Sequence, residues 1–332
     1  MALSTIQNNS FADTAVHGRR NLIINGAMQV AQRGTVTGVT SGYGGPDRFV
    51  FARSGAAAVD MSQSTDVPSG SGFAKSTKLD VSTADSSLAA GDYALWAQRF
   101  EGLNLQSIKK GSSNAEKLTA SFWIKSSTTG TYILEIFDSD NTRQVSASYS
   151  VSTADTWEHK VITFPADTTG AIDDDNANSL TLAFWLAAGS DFSGGTLNTS
   201  WAANTNANRV VGQVNAVDDI ANNIYFTGVQ LELGSDATPF EHRSYGDELI
   251  KCQRYFEKEV PTWGTPRNND SIIHSSGYFK VQKRASPTMT LIGDVYNNSP
   301  AIQQSNLNYY VTYDVTGADT SLNCTFDADA EL

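Results

Sequence analysis

Apolar and polar positions alternate along much of this 332-residue chain with the two-residue period of a half-buried β-strand. In LTASFWIK the apolar set is Leu118, Ala120, Phe122 and Ile124, with Ser121, Trp123 and Lys125 opposite. In SLTLAFWLA it is Leu180, Leu182, Phe184 and Leu186, with Thr181, Ala183 and Trp185 opposite. Further strands are predicted at YALWAQRF from Tyr93, TYILEIFD from Thr131 and WEHKVITF from Trp157. Turn-forming stretches at 126–130 and 173–178 separate them, the spacing of an antiparallel sandwich. NLIINGAMQV reads as another strand, bent at Asn25-Gly26, and leads into the turn-rich TSGYGGPDRF.

The period changes within FTGVQLELGSDATPFEHRSYGDELIKCQRYF. Phe226, Val229, Leu231 and Leu233 set against Thr227, Gln230 and Glu232 predict a strand, which Gly234 and Pro239 break. From Asp247 the positions Leu249, Cys252 and Phe256 predict a short helix. This seam reads as a domain edge. Beyond it, GYFKVQ from Gly277, PTMTLIGDVY from Pro287 and LNYYVTYDV from Leu307 predict a smaller β unit. The organisation expected is an arm over 1–20, a β-sandwich over 21–243, a helical connector over 244–258 and a small β domain over 259–332. About seventy residues make a marginal core. The face shared by Tyr309, Val311 and Tyr313 is therefore a candidate oligomer interface. The arm is too polar to fold alone, and its Leu3, Ile6, Phe11 and Val16 are candidates for ordering against another protein.

Composition narrows the partners. A net charge of −12 with no Lys/Arg cluster argues against nucleic acid. No basic start precedes an apolar core and no apolar run is long enough to span a bilayer, so no signal peptide and no membrane insertion are expected. Cys252 and Cys324 lack CxxC spacing, and both are expected to be reduced. His17, His159, His242 and His274 form no HExxH pair, and the GxSxG and GxGxxG patterns are absent. Asp173, Asp174, Asp175, Asn176 and Asn178 offer hard oxygen ligands but not the spacing of a calcium loop, and read as a solvated acidic turn. Neither metal nor cofactor is expected. A glycosidase pair could lie among Glu101, Glu135, Asp138, Asp140 and Glu158, but the required ~5–9 Å separation is not legible in sequence. Trp123 and Trp185 project from the non-core faces of their strands, and an indole face stacks on a pyranose ring, so both are candidate glycan-binding residues. The plainer alternative is that a covering segment or partner chain packs on those faces.

NLIINGAMQVAQRG, PDRF and VQLELGSDATPFEHRSYGDELIKCQRYF together resemble tail-fibre-like structural proteins of tailed bacteriophages, especially marine ones. The resemblance covers about residues 20 to 258, where these segments bracket a jelly roll, and the intervening strands are similar to carbohydrate-binding modules. It implies a mainly β protein: an antiparallel jelly-roll sandwich, a short connecting helix and a small C-terminal β domain. It also implies a non-enzymatic virion component, assembled in the host cytoplasm, homotrimeric, anchored to other virion proteins by its arm and binding a host-surface glycan. A capsid decoration or head-fibre protein is the alternative within structural roles, and a glycan depolymerase the alternative from another class. Such modules often hold calcium with an acidic residue that opens the last strand. Here that position reads Thr227-Gly228.

Overall fold

The computed structural model describes residues 20–264, 272–292, 301–314 and 322–332, with the side chains of 261–264, 272–274, 313–314 and 322–324 outside the description. Leu3, Ile6, Phe11, Val16 and the side chain of Tyr313 thus lie outside the described residues. The chain divides into two compact units.

The first unit is a sandwich of two antiparallel sheets. One runs in the order β1 (Val36–Val39), β4 (Ala58–Ser64), β5 (Ser76–Thr83), β13 (Asn223–Leu233), β7 (Leu118–Ser126) and β10 (Glu158–Phe164). The other runs β12 (Ala202–Ala203), β9 (Arg143–Val151), β8 (Gly130–Asp138), β11 (Asn178–Ala188), β6 (Tyr93–Glu101), β3 (Val50–Ser54) and β2 (Gly42–Tyr43). From β5 through β8 every step along the chain changes sheet, the winding of a jelly roll. Leu118, Ala120, Phe122 and Ile124 face Leu180, Leu182, Phe184 and Leu186 in one core, as their alternation predicts. At its centre the Trp96 ring stacks on Phe49 at 4.1 Å and on Phe226 at 4.8 Å, while Phe122 meets Phe184 edge-on at 5.0 Å.

The stretch from Asn21 to Gln29 is not a strand, contrary to its sequence pattern. Its backbone groups find partners singly. Leu22 N donates to Leu231 O (2.8 Å), Val229 N donates to Gly26 O (2.9 Å), and the Gln98 amide both accepts from Ile24 N and donates to Ile24 O (2.8 Å each). A turn closes from Met28 N to Asn25 O, and Gly26 is pressed so close to β13 that a Cβ there would sit 2.0 Å from Val229 O. Asn21 Oδ1 accepts from Ile23 N (2.9 Å) and Leu231 N (3.0 Å), and its Nδ2 donates to Val229 O (3.1 Å). Arg243 donates to the carbonyls of Asn21 and Ile23, and Glu241 accepts from Asn21 N (2.7 Å). Asn25 Nδ2 reaches Asp47 O (3.1 Å), next to the Phe49 that stacks on Trp96. Within the first unit, the parts of the three resembling segments at 21–29, Asp47 and 229–243 are therefore one hydrogen-bonded closure around β13.

A second polar cluster lies under the 102–117 segment. The Lys110 ammonium, 2% exposed, sits among Asp138 Oδ2 (2.5 Å), Asp167 Oδ2 (2.9 Å), Gly170 O (2.9 Å) and Thr169 O (3.0 Å). Arg143 grips Asp167 with two hydrogen bonds at 2.8 and 3.1 Å. Burial raises the Asp167 carboxyl, but hydrogen bonds from Arg143 and Lys110 outweigh it and hold the group below the ordinary carboxylate range. An oxygen cage of the kind that suits a hard cation is filled by a side chain of the protein itself.

The second unit comprises Val30–Arg33 and Ser244–Leu332. Its helix, Tyr245–Gln253, starts where Ser244 Oγ accepts from Asp247 N (3.2 Å) with Asp247 and Glu248 in the first turn. The helix stops before Phe256, which its spacing assigned to the helix but which opens β14 (Phe256–Gly264). Two three-stranded antiparallel sheets follow: β14, β19 (Leu322–Asp329) and β16 (Thr288–Ile292); and β15 (Ile272–Tyr278), β18 (Asn308–Asp314) and β17 (Ala301–Gln304). Val260, Phe279, Tyr309, Val311, Phe326 and Ala328 form their shared core. Tyr309 and Val311 are thus buried within the chain and are not an open face for a second copy, a correction to the sequence reading. Two sheets facing each other supply the surface that one marginal layer lacks. Arg33 joins this unit by lying 3.6 Å over the Phe256 ring and pairing with Asp329 (2.9 Å) and Glu331 (3.3 Å). Cys252 is buried and in no disulfide among the described residues, and no helix of the described residues is long and apolar enough to cross a membrane.

Two stability tests follow from the buried polar groups. Asn21→Ala leaves two backbone N–H groups and one carbonyl short of a partner, an expected cost of about 2–4 kcal/mol. It is read as a lower urea midpoint at constant m. Lys110→Met strands Asp138 and costs about 3–5 kcal/mol, while EDTA leaves the wild-type melting midpoint unchanged. A wild-type midpoint that falls in EDTA and returns with calcium would contradict Lys110 as the cation of its cage.

Candidate functional site

Strand register on the outer face of the six-stranded sheet gathers two rows of side chains. Thr227, Trp123 and His159 are cross-strand neighbours on β13, β7 and β10. One step along, Lys78, Tyr225 and Lys125 are neighbours on β5, β13 and β7. These residues alternate with the core positions Leu79, Ile224, Phe226, Phe122 and Ile124, so burial of the inner face fixes where the outer set points. The Trp123 and His159 rings are 5.0 Å apart. The Lys125 ammonium stands 4.4 Å over the Tyr225 ring, and Trp157 meets the same ring edge-on at 6.2 Å.

Charges on this surface are balanced in pairs. Asp66 accepts from Trp157 Nε1 (2.9 Å) and from Lys125, and Lys78 pairs with Asp80 at 2.7 Å. Burial raises the Asp66 carboxyl, but the hydrogen bonds from Lys125 and Trp157 outweigh it and leave the group below the ordinary carboxylate value. Desolvation lowers the His159 imidazole, which is neutral at pH 7. Phe73, Phe240 and His242 form a ring cluster at the flank, with centroids 4.9 to 5.4 Å apart. Phe73 and Trp123 converge over Gly228, at the bulge between Thr227 and Gln230. Thr227 itself is tied by its hydroxyl to Lys75 O (2.7 Å). Half-exposed indole and phenol faces beside paired ammonium and carboxylate groups can stack a sugar ring and bond its hydroxyls.

Trp185 is placed differently. It is 1% exposed, its Nε1 donates to Glu135 Oε2 (2.9 Å), and Arg209 grips Glu135 at 2.7 and 2.8 Å while lying 5.0 Å over the indole. Phe192, from the one-turn helix Ser190–Ser193, and Val210 complete the cover. Trp185 therefore offers no ring face to a ligand, because the segment after β11 folds back across the seven-stranded sheet. Of the two tryptophans singled out by alternation, only Trp123 lies on the candidate surface. Tyr225, in NIYFTG, carries the same alternation signal; the approach of Trp157 and Asp66 depends on loops and leaves no such trace.

The carboxylates considered for glycoside cleavage are committed to internal contacts. Glu101 is fully buried, Glu135 pairs with Arg209, and Asp138 belongs to the Lys110 cage. Asp140 accepts from Asp173 N (3.0 Å), and Glu158 accepts from Ser152 N, Thr153 N and Lys160. Burial raises Glu158, but Lys160 and the two backbone donors outweigh it. Asp66, Glu158 and Asp167 are all displaced downward, opposite to the direction a general acid requires. Among the described residues no three His, Cys, Asp or Glu side chains are placed to hold a metal ion.

The Asp66 pairing sets a pH test. Because its folded-state pKa is depressed, its stabilising effect is complete above the unfolded value of about 3.9 and disappears as pH falls through the lower folded value. The melting difference between wild type and Asp66→Ala is expected to be constant from pH 5 to 7 and to shrink below pH ~4, with Trp157 fluorescence changing over the same acid range. A difference that persists to the acid limit would contradict the pairing.

No protein-family model and no curated protein matches the sequence. Among solved structures, the chain is similar to the enzymatically active domain of tailspike protein 4 of bacteriophage CBA120, with 14% identity and a TM-score of 0.36, over 64% of this chain and 21% of that one. It is similar to a family 11 carbohydrate-binding module from Clostridium thermocellum, in complex with a beta-1,3-1,4-mixed-linked tetrasaccharide, with 12% identity and a TM-score of 0.31 over 62% and 99% of the two chains. A CBM22-1–CBM22-2 tandem domain from Paenibacillus barcinonensis aligns at 9% identity and a TM-score of 0.30, over 96% of this chain and 91% of that one. The fold assigned to this chain, a mainly β protein of antiparallel sheets, rests on its own strand order and register.

Proposed function

We propose that this chain is a non-enzymatic, tail-fibre-like component of a phage virion whose sandwich binds a host-surface glycan. The observation that carries the glycan reading is the patch of Trp123, Tyr225 and Lys125 from two adjacent rows on the outer face of β13 and β7, with Trp157 and His159 at its edges. The virion role is supported by the resemblance of NLIINGAMQVAQRG, PDRF and the 229–256 segment to phage structural proteins. In this reading the 1–20 arm anchors the chain to another virion protein, and a homotrimer displays the sandwiches together. A single open aromatic surface of this kind gives ~mM to μM affinity, about −4 to −8 kcal/mol. Firm attachment then comes from several copies acting at once.

Trp123→Ala combined with Tyr225→Ala is expected to lower glycan-array signal and adsorption to host cells by about tenfold or more without changing the melting midpoint. Unchanged adsorption would reject this surface. New reducing ends after incubation with host polysaccharide would replace the binding role with a depolymerase.

A further inference from the structure

We infer that the C-terminal unit carries a second saccharide site, separate from the sandwich surface and selective for neutral pyranoses. It is a groove of about 410 Å³ along β15, β18 and β17, lined among others by Tyr278, Tyr310, Gln303, Gln304, Ser305 and Asn308. That volume falls within the ~300–1,000 Å³ of small-ligand pockets. Register puts Tyr278 opposite Asn308, and Ser276 and Gln303 on either side of Tyr310, so both rows lie on the face turned away from buried Tyr309 and Val311. Tyr278 is 74% exposed and Tyr310 38%, so a ligand in the groove can reach both rings. Between the rows, Gly277 belongs to the opposite face, where a Cβ would meet the Tyr309 hydroxyl at 2.3 Å, so that phenol group runs directly beneath the strand.

The polar lining defines the ligand class. Ser305 Oγ donates to Asn308 Oδ1 at 2.7 Å, leaving the Asn308 amide nitrogen as a donor. Gln304 Nε2 donates to Pro287 O at 3.1 Å, leaving Oε1 as an acceptor. Exposed Gln303 adds one donor group and one acceptor. A sugar hydroxyl both donates and accepts, so it matches this mixed set. A proline-rich segment, the other ligand of aromatic grooves, presents mainly carbonyl acceptors and would leave the amide oxygens unmatched. Among the described residues no charged side chain lines the groove, so an anionic sugar gains nothing over a neutral one from them.

The test is saturation-transfer NMR on the full chain, with methyl β-glucopyranoside, methyl α-mannopyranoside and N-acetylglucosamine as neutral probes, and N-acetylneuraminic acid and hexaproline as contrasts. It is run on wild type, on Trp123→Ala/Tyr225→Ala, on Tyr278→Ala/Tyr310→Ala and on the fourfold variant. Transfer to at least one neutral pyranose is expected to persist without the sandwich surface and to fall about fivefold or more when the two tyrosines are also removed. Gln303→Ala, at an exposed position, is expected to weaken the same signal, and it decides the matter if the tyrosine pair lowers the melting midpoint. Transfer that disappears with Trp123 and Tyr225 alone overturns this site and leaves the sandwich reading standing. Transfer unaffected by the tyrosines, or confined to hexaproline or N-acetylneuraminic acid, also overturns it.

Discussion

The sandwich depends on how the backbone at 21–29 satisfies its hydrogen bonds. This segment leaves the regular ladder beside β13, a strand in the interior of the six-stranded sheet, and buried N–H and C=O groups without partners would cancel the benefit of packing it there. Asn21, Gln98, Glu241 and Arg243 each supply a missing partner, from positions up to 222 residues away in sequence. The bulge in β13 is the reciprocal adjustment. It turns Val229 N toward Gly26 O and Val229 O toward Asn21, while the strand on one side of it presents Phe226 to Trp96 and Tyr225 to the opposite face. The geometry of the outer surface is thus inherited from a closure on its far side.

Much of the fold was legible because burial imposes a period. The alternation in LTASFWIK and SLTLAFWLA places each core residue correctly and puts Trp123 and Trp185 on outer faces. What alternation cannot show is whether an outer face stays open. Trp185 is covered because Phe192, Val210 and Arg209 return over it, and that return is encoded in an irregular segment with no period to read. NLIINGAMQV failed as a strand for a related reason: its apolar content matches, but its hydrogen-bond partners are single, distant groups, side chains among them, and not a continuous ladder. In the second unit the shared face of Tyr309 and Val311 was visible, whereas the second sheet that buries it was not.

Charge is used sparingly, and part of it is turned inward. With only 17% charged residues, the chain nevertheless buries Lys110 with Asp138 and Asp167, Glu135 with Arg209, and Lys283 with Glu257. Such pairs add little net stability compared with apolar packing, yet removing one partner is costly. They fix loops in single positions: Lys110 holds 169–170, and Arg209 holds the cover over Trp185. The outer pairs Lys125–Asp66 and Lys78–Asp80 extend the same habit to the candidate surface, where it leaves hydrogen-bonding capacity without a net field.

The closure between Asn21 and Leu231 also sets an order of events during synthesis. At about 5–20 residues per second, the ribosome delivers β13 some ten to forty seconds after the segment it must clasp. For roughly the second half of that interval, once β7 has been made, the nascent chain holds β5 and β7 without the strand that joins them in the finished sheet. The edges of those two strands stay unpaired meanwhile, and they are the places where a chaperone would bind or a neighbouring nascent chain would mispair.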